Sequence, residues 1–208
     1  MRGYAEALAD GVIEPGQQEE VGRILLTETG RLERFVTDLL ELARLDADDF
    51  RITRERTDLD ALVQETARAW TQQARRQWLH LRLERPDEPV TATTDAFRVR
   101  QLLDGLLANA VRHTPPGAPV VLALRRTPTG AAELQVRDGG PGLTEDDVRI
   151  AFQPGTLRDR YAATRPTGTG LGLAIAQRLA ERLGATIALR GHGPEGGAHF
   201  TVTLPGEN

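Results

Sequence analysis

Residues 168–187 read GTGLGLAIAQRLAERLGATI. Gly168, Gly170 and Gly172 lead into an apolar run, Leu173 to Leu183, whose spacing predicts a helix over 171–183 closed by Gly184 in the C′ position. Thr186–Leu189 follows as a strand. Glycines that open a helix present backbone amides and the positive end of the helix dipole, which together form an anion site. No strand runs straight into this loop, so it is not the dinucleotide fingerprint. It has no P-loop lysine either, because all 26 basic residues of the chain are arginine. Any phosphate contact therefore comes from Arg, His or backbone amides.

Working towards the N-terminus, residues 153–168 read as a loop that carries Arg158, Arg160 and Arg165. Loops of this length in compact domains are commonly functional, and arginines on one suit a phosphate clamp. Thr144 to Phe152 reads as a short helix, with Thr144 and Asp147 spaced as a capping box. Before it stands Asp138-Gly139-Gly140-Pro141-Gly142, at the end of the strand Ala132–Arg137. A carboxylate at a strand end, beside a bare backbone wall, suits the exocyclic amine of a flat base. Val120–Arg125 pairs with that strand across a Pro-Thr-Gly turn as a hairpin. Asp95 to His113 reads as a helix with Phe97, Leu102, Leu103, Leu106, Leu107 and Ala110 on its apolar face, stopped by Pro115, Pro116 and Gly117. Asn109, Arg112 and His113 end it, offering a neutral oxygen ligand and two phosphate donors. Magnesium takes oxygen ligands and shares its shell with nucleotide phosphates.

Further out, Asp58 is the predicted N-cap of a helix to Gln77, and His80–Leu83, Val90–Thr93 and His199–Leu204 read as strands. Arg51–Arg56 alternates weakly and reads as one more. The body is thus an α+β two-layer sandwich with a mixed sheet. Ahead of it lies a helical hairpin. Residues 2–10 form a short helix, Gly11, Pro15 and Gly16 a turn, and Gln17 to Leu45 a helix roughly 40 Å long with leucines at 25, 32 and 39. The short helix cannot cover the long one, so its stripe calls for a partner.

Composition narrows the function. The 208 residues carry 26 Arg against 30 Asp and Glu, net −4. Residues 1–50 hold 5 Arg and 12 acids, which leaves the remainder mildly basic. A pI near 5.6 argues against sequence-independent nucleic-acid binding. The absence of cysteine excludes disulfides, thiolate metal sites and cysteine nucleophiles, and fits a reducing compartment. No apolar run is long enough to span a membrane.

The order of the three elements, Asn109, then Asp138 with Gly140 and Gly142, then Gly168, Gly170 and Gly172, resembles the Bergerat-fold ATPases. In detail NAVRHTPPG (109–117), VRDGGPGL (136–143) and GTGLGLAIAQRLAERLGATI (168–187) are similar to the N box and the two glycine boxes of sensor histidine kinases. RGYAEALADG (2–11) and RLERFVTDLLELARLDA (31–47) resemble parts of their dimerisation and phosphotransfer helices.

The resemblance implies a division into residues 1–50, a truncated dimerisation and phosphotransfer hairpin, and residues 51–208, the catalytic ATP-binding domain. It implies ATP and Mg²⁺ as cofactors. Asp138 would bind the adenine amino group, with Gly140 and Gly142 letting the ring approach. Asn109 would hold Mg²⁺, Arg112 and His113 would face the phosphates, and Gly168, Thr169, Gly170, Leu171 and Gly172 would line the phosphate loop and lid hinge. It further implies a homodimer through the hairpin, a response-regulator receiver domain as partner, and a cytoplasmic location in a family often anchored to membranes.

Three departures stand out. The family's phosphoacceptor histidine precedes the RGY segment, and none of the four histidines (His80, His113, His192, His199) lies on the front helices, so autophosphorylation by this chain alone is not expected. Gly105 stands where the N box usually has a polar residue, and Asp104 points about 100° away on the helix. Phe152 is present, but Pro154-Gly155-Thr156 replaces the family's second aromatic, which predicts a looser lid. The competing expectation is a degenerate kinase that serves as a nucleotide-binding or dimerising module. A serine kinase of the same superfamily is a third reading, against which the hairpin argues.

Overall fold

The computed structural model describes residues 2–9, 11–12, 16–165 and 168–206. Asp10, Pro15 of the expected turn, and Pro166 and Thr167 of the expected loop lie outside them. The elements run α1 (Arg2–Ala9), α2 (Gln18–Asp46), β1 (Glu55–Asp58), α3 (Leu59–Arg76), β2 (His80–Glu84), β3 (Thr91–Thr94), α4 (Ala96–His113), β4 (Pro119–Arg126), β5 (Ala132–Asp138), α5 (Glu145–Ile150), α6 (Thr156–Tyr161), α7 (Gly172–Leu183), β6 (Thr186–Arg190) and β7 (His199–Leu204).

A five-stranded sheet in the order β2-β4-β5-β7-β6 forms one layer, antiparallel except for the β2–β4 pair. Strand alternation sends Val120, Leu122 and Leu124 of β4, Leu134 and Val136 of β5, and Phe200, Val202 and Leu204 of β7 into one core with α3, α4 and α7. The opposite face is mostly polar, with Val121 and Ala123 buried on it. There Arg137, only 5% exposed, pairs with Glu84 at 2.7 Å and Glu195 at 3.1 Å. A separate antiparallel pair, β1–β3, leads into α3 and α4. Asp58 and Asp95 cap these helices by accepting the amides of Ala61 and Arg98 at 3.0 and 3.1 Å.

Some expectations need correction. Residues 51–54 are not strand; β1 starts at Glu55, where pairing with Thr94 begins. Phe97 is not on the apolar face of α4 but 70% exposed, one position after the helix start, with the Arg98 guanidinium over its ring. The inward face continues instead through Val99 and Val111. The expected loop 153–168 contains α6. Its entry is set by Gly155, whose φ of 79° needs a residue without Cβ, and by the Thr156 hydroxyl, which donates to the carbonyls of Ile150 and Gln153.

The long helix α2 lies along α4 and α7. Glu41 accepts from Gln101 at 2.9 Å, and Arg182 donates to the carbonyls of Leu45 and Ala47 at 2.6 and 2.8 Å. Only Val21 and Leu45 of α2 are buried, and Leu26, Leu32, Val36, Leu39 and Leu40 are each about half exposed or more.

Candidate nucleotide site

A cavity of about 280 Å³ opens between the C-terminal turns of α4, the end of β5, the α5–α6 segment and the start of α7. Asn109, Arg112 and His113 reach it from α4, Asp138 and Gly142 from β5 and its following loop, and Gly168, Thr169, Gly170 and Gly172 from the second glycine loop. Gly140 and Leu171 do not line it. The Gly140 amide donates to Asp138 Oδ1, and Leu171 is buried behind the loop.

Asp138 is 3% exposed. Its Oδ1 accepts the amides of Gly140 at 2.9 Å and Ala198 at 3.1 Å, which leaves Oδ2 for a further donor. Burial pushes its carboxyl above the usual range, against those two amides, and Glu195 adds to the rise. The fixed carboxylate with one open oxygen is the chemistry that accepts an exocyclic amine.

The glycines owe their identity to the protein itself. A Cβ on Gly140 would lie 2.7 Å from Asp138 Oδ1 and 3.0 Å from the His113 carbonyl. Gly142 has φ 69°, and a Cβ there would meet His192 Nε2 at 2.6 Å and the Gly191 carbonyl at 2.8 Å. Gly168 lies against the Arg112 guanidinium, 2.6 Å from where its Cβ would sit. Gly170, φ 82°, is closed in by Gly155 and Arg158 at 3.1 Å. Gly172 and Gly105 differ: a Cβ on either meets nothing within 4 Å. Both line the cavity. Asp104, next to Gly105, is turned away and held by Trp70 at 2.7 Å and Arg100 at 3.1 Å.

His113 is neutral at physiological pH. Burial lowers its pKa to about 4, with help from the Arg112 and Arg165 charges. Arg112 is the α4 cation that lines the cavity; burial and Arg34 lower its pKa while Asp38 raises it.

The arginine loop is ordered around one carboxylate. Asp147, side chain fully buried, accepts from Arg160 at 2.7 Å, from the Tyr161 hydroxyl, and from the Thr144 amide at 3.0 Å in the capping box that starts α5. Arg165 stacks on the Tyr161 ring at 4.0 Å and donates to the Gly142 carbonyl at 3.1 Å. Arg158 donates to the Thr169 carbonyl at 3.2 Å. Arg158, Tyr161 and Arg165 thereby close one side of the cavity. The absent second aromatic does not leave this lid unattached; Tyr161, the one aromatic of the 153–168 stretch, anchors it.

Sequence reasoning missed several residues. Tyr161 carried a signal, as a lone aromatic among arginines. Gly197 carried a weak one in its glycine-rich turn: its amide donates to the Asp138 carbonyl at 2.8 Å, and no side chain fits between. Arg34 and Asp38 of α2 also line the cavity and carried none, since they lie more than 100 residues from the glycine loop they face. Among the described residues, no cluster of three or more His, Cys, Asp or Glu is placed to hold a metal by itself. A cation here fits only with phosphate oxygens in its shell, beside the Asn109 amide.

Fold and cavity together define a Bergerat-type ATP-binding sandwich. The chain belongs to the histidine kinase-, DNA gyrase B-, and HSP90-like ATPase family, whose pattern matches residues 94–208. Within that family its relatives are sensor histidine kinases. It is similar to the sensor protein SrrB of Staphylococcus aureus, strain MRSA252, at 30% identity over 206 residues, covering 99% of this chain and 35% of that protein. The chain thus spans about a third of that relative. The Acinetobacter baumannii histidine kinase AdeS superposes with a TM-score of 0.75 at 27% identity, over 100% of this chain and 93% of that one. Full-length ShkA in complex with AMPPNP gives 0.75 at 27% identity, over 93% of this chain and 39% of that one. No helix among the described residues is long and apolar enough to cross a membrane.

Proposed function

We propose that this chain is the ATP-binding catalytic part of a two-component sensor histidine kinase, residues 51–208, joined to a dimerisation and phosphotransfer hairpin, residues 1–50. It passes the ATP γ-phosphate to a histidine, for relay to an aspartate on a response-regulator receiver domain. The carrying observation is the buried Asp138 with one free oxygen at the base of a cavity whose other end holds Asn109, Arg112 and the amides opening α7. The likeness to SrrB, AdeS and nucleotide-bound ShkA supports it.

In this reading Asp138 Oδ2 accepts the adenine amine. His113, neutral, and Arg112 face the phosphates, where Arg112 neutralises their charge. The loop Gly168–Gly172 turns its amides to the phosphate oxygens. Asn109 supplies an oxygen to Mg²⁺, which when bound screens the phosphate charge. Catalysis is positioning and charge stabilisation: the histidine nitrogen forms a bond to the γ-phosphorus, the bond to the bridging oxygen breaks, and ADP leaves. The acceptor in this reading is a histidine other than His80, His113, His192 and His199. The exposed leucines of α2 favour a second copy against the hairpin.

A second reading has one observation behind it. Gly105 offers the cavity no side chain where the N box that this segment resembles usually has a polar one, which fits a nucleotide-binding module with weak or no transfer. Calorimetric titration with ATP, with and without Mg²⁺, tests the site. Asp138→Asn should abolish binding and Asn109→Ala should weaken its magnesium dependence. A folded chain that binds no ATP at millimolar concentration refutes the catalytic reading. Acid-labile label on an added histidine segment separates kinase from module.

A further inference from the structure

The anion site at the head of α7 already has an occupant from the chain itself. Thr169 donates its hydroxyl to Asp38 Oδ2, and the same Thr169 oxygen accepts the Leu171 amide at 3.3 Å. Asp38 therefore places a carboxylate at the N-terminus of a twelve-residue helix, where negative charge is favoured. It lies within the field of Arg112, the half-buried cation that packs on Gly168. Arg34, one turn earlier on α2, lines the same cavity, but its guanidinium donates to the Gly30 carbonyl of its own helix at 3.0 Å. From Asp38 onward α2 is fastened step by step: Glu41 to Gln101, Leu45 and Ala47 to Arg182, Asp46 to Arg178 at 3.0 Å. Asp38 is the one of these contacts that reaches the cavity.

Resting on the reading of the cavity as a nucleotide site, we infer that Asp38 is an internal stand-in for a nucleotide phosphate, so that docking of α2 and binding of a triphosphate oppose each other. Phosphate oxygens and the Asp38 carboxylate seek the same donor, the Thr169 hydroxyl beside the start of α7, and like charges in one cavity repel. A triphosphate entering the site takes that donor and loosens α2 from the glycine loop. By reciprocity, anything that pulls α2 away raises affinity for the triphosphate. Adenosine, which leaves the phosphate end empty, is indifferent to Asp38. The device lets a movement of the hairpin set the nucleotide affinity of a site formed mostly by other elements.

The test uses the full chain and two probes, MgATP and adenosine. Asp38→Asn and Asp38→Ala, at a part-buried position of α2 that faces the cavity, should bind MgATP roughly five- to tenfold more tightly than the parent, the low end of ordinary coupling between sites. Adenosine affinity should not change. In the parent, MgATP should speed amide exchange in residues 38–46 and adenosine should not. Equal or weaker MgATP binding in both variants, or protection of residues 38–46 by MgATP, overturns the inference while the nucleotide site stands. A parent chain that binds neither probe refutes the site reading, and this inference with it.

Discussion

Asp147 should hold the lid, and the size of its effect follows from the structure. Its side chain is fully buried, which alone would raise its pKa. The Tyr161 hydroxyl, the Thr144 amide and hydroxyl, and the Arg160 charge overcome that rise and hold the carboxyl at about 2, against 3.8 unperturbed. At about 1.4 kcal/mol per unit, the charged form is favoured by roughly 2 kcal/mol when the lid is in place. The sign follows from the direction: a depressed pKa stabilises the closed lid fully above pH 4, and the gain is lost as pH falls from about 4 towards 2. Asp147→Asn keeps the shape and removes the charge. It should therefore raise lid opening at neutral pH by at most roughly thirtyfold, since the Thr144 bonds of the α5 cap persist when the lid opens. Amide exchange in residues 156–165 measures this directly, with residues 173–183 as an internal reference. Arg160→Ala should do less, because its half-exposed guanidinium forms a bridge worth at most ~1 kcal/mol. If Asp147→Asn leaves exchange in 156–165 at the parental rate, the buried carboxylate is not the latch, and its low pKa belongs to the α5 capping box alone.

Three further outcomes are expected. Gly142→Ala should lower the melting midpoint by several degrees, as its positive φ and the approach of His192 and Gly191 cost about 1–3 kcal/mol, whereas Gly172→Ala should leave it unchanged or raise it. The His113 imidazole should stay neutral down to about pH 4, so its NMR shifts should hold steady from pH 8 to 5; a midpoint near 6.5 would show the ring in solvent, not half-buried beside Arg112. Arg182→Ala should free the end of α2 by removing donors to Leu45 and Ala47, together about 2–4 kcal/mol, and proteolysis near residues 47–50 should accelerate while melting of the sheet barely moves.

What sequence reading captured and what it missed divide along contact distance. The caps Asp58 and Thr144, the stop at Gly184 and the strand read at Ala132–Arg137 are decided by neighbours a few residues away, and local residue pattern exposes them. The strand at 51–56 failed because β1 exists only through pairing with Thr91–Thr94, some 35 residues on. Phe97 failed because a helix's first turn lies at the margin of its buried face. The lid helix failed because six residues rich in arginine carry no helical stripe; Gly155 and the Asp147 bonds create it. For the site, residue types and order were legible in Asn109, Asp138 and the glycines. Asp38 was not, because nothing within α2 marks one carboxylate among its seven acids as the one that meets Thr169.

The glycines also show why an order of motifs carries more than each alone. Gly140 is needed because Asp138 folds back on its amide beside the end of α4; Gly142 because the 191–197 turn presses on it; Gly168 because Arg112 lies across it. Each ties one segment of the cavity to another, α4 to the β5 loop and α4 to the α7 loop. A single glycine-rich loop answers only to its own turn. Here substitution at 140 or 168 would push His113 or Arg112 from its place, so the base end and the phosphate end are fixed by one interlocked set of contacts. Gly105 and Gly172 stand outside that set, with open space beside them. They are the positions where a side chain could change what the cavity does without changing how it is built.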